Sequence, residues 1–426
     1  MRLLRSEEYR HDRLDRLVLV CLGIIIFTLP TVPVSAFEMH RAINIAQWFT
    51  WPRYEPAPST GIAWPPYKET PRPPDLNELR RLKKAGFDTI RLPVDPAPFI
   101  VFEGDRKKIV YQRLTDAIDR IQAVGMNVIV DLHPNSRHPV WGQHAMVKGV
   151  GTPAFDKFSD LVEDMARRLA PRHRNVALEL INEPRLKCKG DQQQQWEVLA
   201  KALIERARKG SPDLKLVLTG ACVSSFEGLL ALDPKKFGDD KIIYTFHFYD
   251  PFSFTHQGAQ FIPWPDKYLD EVPWPASERP IGQPLAKTLQ RVAEANLDLF
   301  NREKASIGAQ ANLRKFYASK ADRELIRERF ARVADWAKEH GVEPARILIG
   351  EFGVLKKRSG LPGALCEDRD RWLRDVRLSA EEFGFVWAYF NFDGPFALVT
   401  DDKERRFDPS ILAALGLGKD PGRCRD

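Results

Sequence analysis

Two glutamates of this chain each stand at the end of a short apolar run that is typical of a buried β-strand. Glu183 closes the run 176–183, which also delivers Asn182, and Glu351 closes the run 347–351. Pro184 cannot continue a central strand, so the first run must stop there. A carboxylic acid that protonates a leaving oxygen and a carboxylate that faces the sugar carbon together cleave a glycosidic bond. The pair therefore indicates acid–base and nucleophilic chemistry on an acetal.

Four other apolar runs carry binding or titratable side chains at their ends. Three of them carry Arg91, His133 and Trp387, and the fourth ends in His247 and Tyr249. The two-residue period of a strand places His247 and Tyr249 on one face. Polar groups buried at strand ends cost free energy unless they hold one another or a ligand. Six strands that end in this way indicate one shared site.

The elements that must position these residues alternate between strand and helix. We predict eight strands, at 41–45, 89–93, 127–133, 176–183, 215–219, 242–249, 347–351 and 385–391. Apolar spacing and helix-ending residues predict helices at 75–85, 111–124, 155–169, 192–209, 285–302, 322–339, 370–383 and 409–415. This alternation is typical of the parallel (β/α)8 TIM barrel, an α/β fold that carries its chemistry at the carboxyl ends of the strands. We predict a single catalytic domain over residues 37–426.

An aromatic-rich insertion at about residues 250–317 is longer than one loop and one helix require. Its first part is crowded with ring side chains, namely Phe252, Phe254, His256, Phe261, Trp264, Tyr268 and Trp274. Sugar rings present C–H faces that stack on aromatic rings, so an aromatic loop at the strand ends can line a cleft. The alternative is that these rings only pack the insertion onto the barrel, and we expect a mixture of the two.

The N-terminus is predicted to be a targeting segment. Residues 1–16 carry five Arg and four acidic residues, and residues 17–29 are apolar except for a glycine and a threonine. Val34-Ser35-Ala36 offers small residues at the positions that a signal peptidase reads. We predict that residues 1–36 are a signal peptide, with an uncleaved membrane anchor as the alternative because the leader is long. In both cases the protein is exported, periplasmic or extracellular, and a membrane is a partner only if the segment stays uncleaved.

Four of the five cysteines remain once a leader that contains Cys21 is removed. An oxidising compartment favours disulfides, and four cysteines allow three pairings. Cys188 follows the fourth predicted strand and Cys222 follows the fifth, so these two could meet across neighbouring loops. Cys366 and Cys424 would then tie down the C-terminal tail.

Charge and metal-binding patterns exclude other classes of partner. The net charge of +7 is spread over intermixed basic and acidic residues, without the basic stripe that a nucleic-acid partner would require. A metal-dependent hydrolase barrel using His133 and His247 predicts a His-x-His pair on the first strand, where Ile43-Asn44-Ile45 stands instead. We expect no metal, no cofactor and no nucleic acid, and a monomer whose partner is a polysaccharide or oligosaccharide substrate.

The ordered strand-end motifs resemble those of glycoside hydrolase family 5, retaining β-glycosidases that include many cellulases and mannanases. The matching pieces are Ile43-Asn44-Ile45, Ile90-Arg91-Leu92-Pro93, Asp131-Leu132-His133, Ile181-Asn182-Glu183-Pro184, His247-Phe248-Tyr249, Gly350-Glu351-Phe352-Gly353 and Trp387. The resemblance implies that Glu183 is the general acid/base and Glu351 the nucleophile. It implies that Asn182 bonds the sugar 2-hydroxyl, and that Arg91 and Tyr249 hold and ionise Glu351.

The resemblance places three further side chains around the same sugar. His133 and His247 would line the glycosylated subsite, and Trp387 would stack beneath the sugar ring. Physical chemistry agrees with the two central roles, because a cation beside one carboxyl group keeps it ionised while the other carboxyl group is favoured to start protonated. The resemblance thus implies a retaining, endo-acting β-glycoside hydrolase of a β-glucan-type polysaccharide, which works by double displacement.

The sequence leaves three alternatives open. A β-mannanase and an exported β-glucan transglycosylase would use the same strand-end residues, and these residues do not determine which linkage is cut. A glycan-binding barrel without activity is the alternative outside the enzymes. The intact pair Glu183 and Glu351 argues against that last alternative.

Overall fold

Eight parallel strands pair in chain order and close into a barrel in the computed structural model. They are β1 (Arg41–Asn44), β2 (Thr89–Val94), β3 (Asn127–Leu132), β4 (Val176–Glu179), β5 (Lys215–Thr219), β6 (Ile242–Phe248), β7 (Ile347–Phe352) and β8 (Val386–Tyr389). The predicted (β/α)8 fold is confirmed. The structure describes residues 37–56, 59–67, 72–135, 138–262, 265–358, 361–401, 403–422 and 424.

Helices connect the strands and surround the barrel. Those in the described part of the chain are α1 (Leu76–Ala85), α2 (Ala97–Val101), α3 (Gly104–Gln122), α4 (Gln143–Met146), α5 (Pro153–Leu169), α6 (Gly190–Gly210), α7 (Ala221–Ser224), α8 (Phe226–Leu230), α9 (Phe252–Thr255), α10 (Gly282–Glu294), α11 (Leu299–Ala318), α12 (Arg323–Glu339), α13 (Cys366–Glu382) and α14 (Pro409–Ala414). Short 3-10 turns lie at Ala170–Arg172, Pro234–Lys236, Asp266–Tyr268 and Pro344–Arg346.

Helix caps explain where the predicted boundaries agree with the structure and where they fail. At the start of α1, Asp75 and Glu78 each accept the other's backbone N–H, which makes a capping box. Gly86 ends the same helix with a φ of 111°, a conformation that favours glycine. The single helix predicted at 285–302 is wrong, because Asp298 caps a new helix, α11, inside that range.

Strand residues alternate between the barrel interior and the layer beneath the helices. Small and branched side chains fill the lower interior, including Ala42, Ile129, Ala177, Val217, Ile243, Leu348 and Ala388. The next inward positions along β3 and β4 are Asp131 and Glu179, both fully buried. The barrel interior therefore changes from apolar to charged towards the carboxyl ends of its strands.

Two disulfides tie loops to the barrel. Cys188–Cys222 joins the loop after β4 to the turn after β5, and Cys366–Cys424 joins α13 to the C-terminal tail. This is the expected one of the three possible pairings. None of the described helices combines the length and the apolar composition needed to cross a bilayer. The predicted leader, residues 1–36, lies outside the described residues.

Candidate active site

Arg91 lies in the charged part of the barrel interior and donates hydrogen bonds to several side chains there. Its Nε and Nη2 donate to the two carboxylate oxygens of Glu179 at 2.7 and 2.8 Å. Its Nη1 donates to Glu351 Oε1 at 2.8 Å, and Nη2 donates to Asn182 Oδ1 at 2.9 Å. Burial opposes the charge of the guanidinium, but the facing carboxylates outweigh it and hold the pKa of Arg91 well above its ordinary value. The rigid fork of donors therefore fixes an acid on each side of it.

A bulge in the β6–β7 pairing sets the position of Glu351. Phe246 pairs with Ile349, but His247 pairs with Glu351, so Gly350 is the extra residue. A Cβ at Gly350 would lie 3.3 Å from the imidazole of His247 and 2.6 Å from a neighbouring threonine oxygen. Glycine at this position therefore lets the imidazole and the carboxylate stand side by side.

Glu351 is buried and accepts a hydrogen bond on each oxygen. Arg91 donates to Oε1, and the hydroxyl of Tyr249 donates to Oε2 at 2.9 Å. Burial, followed by the charge of Glu351, raises the pKa of Tyr249 well above its ordinary value, so the phenol keeps its proton and remains a donor. These two donors fix the orientation of the Glu351 carboxylate.

Glu183 and His247 form a hydrogen-bonded pair beside Glu351. His247 Nδ1 lies 3.0 Å from Glu183 Oε1 and 3.6 Å from Glu351 Oε2. Burial opposes charge on both groups. Even so, the two glutamates raise the pKa of His247, and the imidazole lowers the pKa of Glu183. Both shifts have one cause, the attraction between the imidazole and the neighbouring carboxyl groups.

Glu183, His247 and Glu351 each place one donor atom within 4.8 Å of the others. In the part of the chain that the structure describes, these three side chains are the group with enough nearby ligand atoms to hold a metal ion. The guanidinium of Arg91 already places a fixed positive charge 2.8 Å from Glu351, and both oxygens of that carboxylate are hydrogen-bonded. Such a donor set suits proton transfer and nucleophilic attack better than cation binding.

His133 and Asn182 lie beside each other, just after β3 and β4. His133 Nδ1 lies 2.9 Å from Asp131 Oδ2, and its Nε2 lies 3.3 Å from the Asn182 amide nitrogen. Burial opposes the imidazolium, but Asp131 outweighs it and raises the pKa of His133. Because Asn182 Oδ1 accepts from Arg91, the amide nitrogen must face His133. The structure thus brings together seven of the eight predicted residues.

Trp387 does not reach the site, and its predicted role beneath the sugar is wrong. Its side chain is 1% exposed, and its ring packs edge to face against Phe87 and Phe352. The two-residue period of β8 turns Ala388 inward and Trp387 outward, into the layer beneath the helices. Three residues later, the half-buried Phe390 packs among the loops above the strands.

The rings of the aromatic insertion divide into packed and exposed ones. Trp274 is fully buried, whereas Phe252 and Phe261 are 41% and 51% exposed. The ring of Phe252 stacks on the buried ring of His256 with centroids 4.0 Å apart. Trp264 lies outside the described residues. The exposed rings are therefore available to a ligand at the carboxyl ends of the strands.

Three buried members of the network were not predicted as site residues, namely Asn44, Asp131 and Glu179. Asn44 Oδ1 accepts from Arg91 Nη1 at 2.9 Å, and its amide donates to the Gly350 carbonyl at 3.0 Å. Burial raises the pKa of Glu179, and Arg91 opposes that shift. A carboxylate inside a strand buried on both faces needs an ionic partner, and this signal was available in the sequence.

Several known proteins are similar to this chain in sequence. Residues 57–394 match the family described as Cellulase (glycosyl hydrolase family 5). Endoglucanase 3 of Fibrobacter succinogenes is 25% identical over 359 residues, covering 80% of this chain and 49% of that protein. The chain thus spans about half the length of this relative. Endoglucanase C of Acetivibrio thermocellus is 24% identical over 335 residues, covering 77% of this chain and 86% of that protein.

The fold also matches solved structures. The cellulose synthase subunit Z of Clostridioides difficile superposes with a TM-score of 0.62 at 22% identity, covering 89% of this chain and 99% of that one. At this identity the superposition establishes a shared fold, while the family match rests on the sequence.

Proposed function

We propose a function from the premise that this chain belongs to the cellulase family, glycosyl hydrolase family 5. Residues 37–426 would form a catalytic domain that cuts internal β-glycosidic bonds of a β-glucan-type polysaccharide with retention of configuration. The short distance between Glu183 and Glu351 carries this proposal. Oxygens of the two carboxyl groups lie within 4.8 Å of one another. Retaining enzymes need about 5–5.5 Å between the carboxyl groups, whereas inverting enzymes need about 6.5–9.5 Å to admit a water.

In the first step Glu351 attacks the anomeric carbon while Glu183 protonates the leaving oxygen. His247 Nδ1 lies 3.0 Å from Glu183 Oε1, close enough to exchange a proton with that carboxyl group. Burial lowers the pKa of His247, and the charge of Glu351 is the largest of the causes that raise it above its ordinary value. Bond formation to the sugar consumes that charge, so the proton is released towards Glu183 as the leaving oxygen needs it. Attack and protonation are coupled through one imidazole.

In the second step Glu183 acts as the base for an incoming water. Glu351 is now an ester and carries no charge, so Glu183 is left as the carboxylate nearest to the water. Arg91 and Tyr249 remain in hydrogen-bonding reach of the departing carboxylate oxygens and stabilise the charge that returns to them. His133 and Asn182 would bind the hydroxyl groups of the same sugar.

The names of the relatives support the substrate class. Both curated relatives described above are called endoglucanases. Phe390, at the mouth end of β8, takes the place that was expected of Trp387 as the ring beneath the sugar. Its ring lies 6.5 Å from that of Tyr249, whose hydroxyl bonds Glu351. An aromatic surface at this position would favour the apolar face of a β-linked sugar.

The test is the configuration and the identity of the first product. Purified protein would be given cellopentaose, mixed-linkage β-glucan and mannan, and the new reducing end would be followed by proton NMR. Initial release of the β-anomer from a glucan supports the proposal. Initial release of the α-anomer would refute retention, and cleavage of mannan alone would refute the substrate class.

Variants of the two glutamates test the assigned roles. Glu351→Ala should lose hydrolysis by at least about 10³-fold, and azide should restore turnover with a product of inverted configuration. Glu183→Ala should keep the first step for substrates with good leaving groups and slow deglycosylation. Glu404→Ala, an exposed glutamate far along the chain, is the control. Near-normal turnover by Glu351→Ala would overturn the assignment.

A further inference from the structure

Three of the four residues of α7, the short segment after β5, have a left-handed backbone, so α7 is a left-handed turn and not an ordinary α-helix. Cys222, Val223 and Ser224 have φ angles of 55°, 52° and 59°, and none of them is glycine. This conformation costs an L-residue about 1–2 kcal/mol, and it is normally found at single positions. A run of three persists only where its surroundings hold it in place. The turn therefore has contacts that compensate for its strain.

Those contacts come from the segment that follows Glu183. Cys222 donates its N–H to the carbonyl of Leu186 at 2.8 Å, and Val223 donates to the carbonyl of Pro184 at 3.2 Å. The disulfide Cys188–Cys222 closes the same junction. The loop after β4 and the turn after β5 are thus joined by two backbone hydrogen bonds and one covalent bond.

The turn in return holds the backbone of Glu183. Glu183 itself has a left-handed backbone with a φ of 45°. Its N–H donates to the hydroxyl oxygen of Ser224 at 3.2 Å, and the Ser224 side chain is fully buried. The backbone conformation of Glu183 decides where its carboxyl group stands relative to His247 and Glu351.

We infer that the left-handed turn, locked by the Cys188–Cys222 disulfide, is a positioning element for the acid/base Glu183. The inference rests on the proposed function, in which Glu183 protonates the leaving oxygen. Cys188, Cys222 and Ser224 touch no reacting atom, so they are positioning residues. When the Cys188–Cys222 disulfide is removed, the backbone of Glu183 relaxes. Its carboxyl group then no longer lies between His247 and the leaving oxygen.

A disulfide that merely stabilises the barrel makes a different prediction. The second disulfide, Cys366–Cys424, closes a longer loop, with a sequence separation of 58 against 34. On chain entropy alone its loss should cost at least as much stability. It lies at α13 and the tail, so it provides a matched control that shares the chemistry and lacks the link to Glu183.

The experiment compares two substrates that differ only in how much they need an acid. The double variant Cys188→Ser with Cys222→Ser, the double variant Cys366→Ser with Cys424→Ser and the native protein would be assayed on phenyl and 2,4-dinitrophenyl β-cellobiosides. Phenol is a poor leaving group and requires protonation, whereas dinitrophenol does not. The ratio of kcat/KM for the phenyl to the dinitrophenyl substrate should fall by about 10–100-fold in the first variant. It should stay at the native value in the second.

An unchanged ratio in the first variant, or an equal fall in both, would overturn the inference. If the first variant does not fold, Ser224→Ala decides by the same ratio, because it removes only the hydroxyl that receives the Glu183 N–H. Failure of the proposed function has a separate signature, since the native protein would then release neither phenol.

Discussion

Asp95→Asn should remove a large part of the pH dependence of this protein's stability. Asp95 follows β2 and is 1% exposed. Its Oδ1 accepts the N–H of Ala97 at 2.9 Å, and among the described residues its Oδ2 has no hydrogen-bond partner. Burial is the main cause that raises the pKa of this carboxyl group to about 7, although the charge of His133 lowers it.

The direction of this pH dependence follows from the number of protons bound in the folded and unfolded states. The folded protein keeps the Asp95 proton until about pH 7, whereas the unfolded chain releases it near the ordinary value of 3.8. The stabilisation from this group is therefore fully present below about pH 4 and is lost as the pH rises through about 7. Each pKa unit corresponds to about 1.36 kcal/mol, so the loss between pH 5 and pH 8.5 should be about 3 kcal/mol. Asparagine has the shape of the protonated acid and does not titrate.

Urea unfolding followed by circular dichroism at the two pH values measures this effect. The free energy of unfolding of the native protein should fall by about 3 kcal/mol more than that of Asp95→Asn. Asp105→Asn changes a carboxylate that is 88% exposed and serves as the control. Equal losses in the native protein and in Asp95→Asn would refute the reasoning, because the carboxyl group would then titrate alike in both states.

Three further substitutions and one control substitution test the site geometry. Gly350→Ala should displace His247 and lower kcat by about tenfold or more, because the new Cβ would stand 3.3 Å from its ring. Gly282→Ala, where the new Cβ meets no atom within 4 Å, should leave kcat unchanged. Trp387→Phe should lower the free energy of unfolding by about 1–3 kcal/mol and keep kcat/KM, whereas Phe390→Ala should lower kcat/KM on a β-glucan. The opposite pattern in this last pair would restore Trp387 as the residue beneath the sugar.

The sequence predicts the site well where chemistry coincides with strand ends. Glu183 and Glu351 were recognisable because each follows an apolar run, and the barrel brings such ends together. The prediction for Trp387 considered that the residue is aromatic and did not consider which face of β8 it occupies. In a strand, a shift of one residue moves a side chain from the barrel interior to the exterior.

The partners that residues find in distant segments were not predictable, even where the sequence showed that a partner was needed. Glu179 lies inside a strand, and its role depends on Arg91, which is 88 residues away in the chain. The left-handed turn at 222–224 contains no glycine, so local sequence gave no sign of it. Both features depend on tertiary partners, and the local sequence does not specify these partners.

The guanidinium at the centre of the barrel also constrains how this protein can evolve. Arg91 bonds groups carried by β1, β7 and the β4 segment, so it joins parts of the chain that are far apart in sequence. A descendant that lost Glu351, the proposed nucleophile, would still need Arg91 to neutralise the buried acid Glu179. Selection for folding alone would therefore preserve the arginine that holds the proposed nucleophile. An inactive descendant would keep the arginine, and a single substitution that restored the glutamate would re-form the ion pair at once.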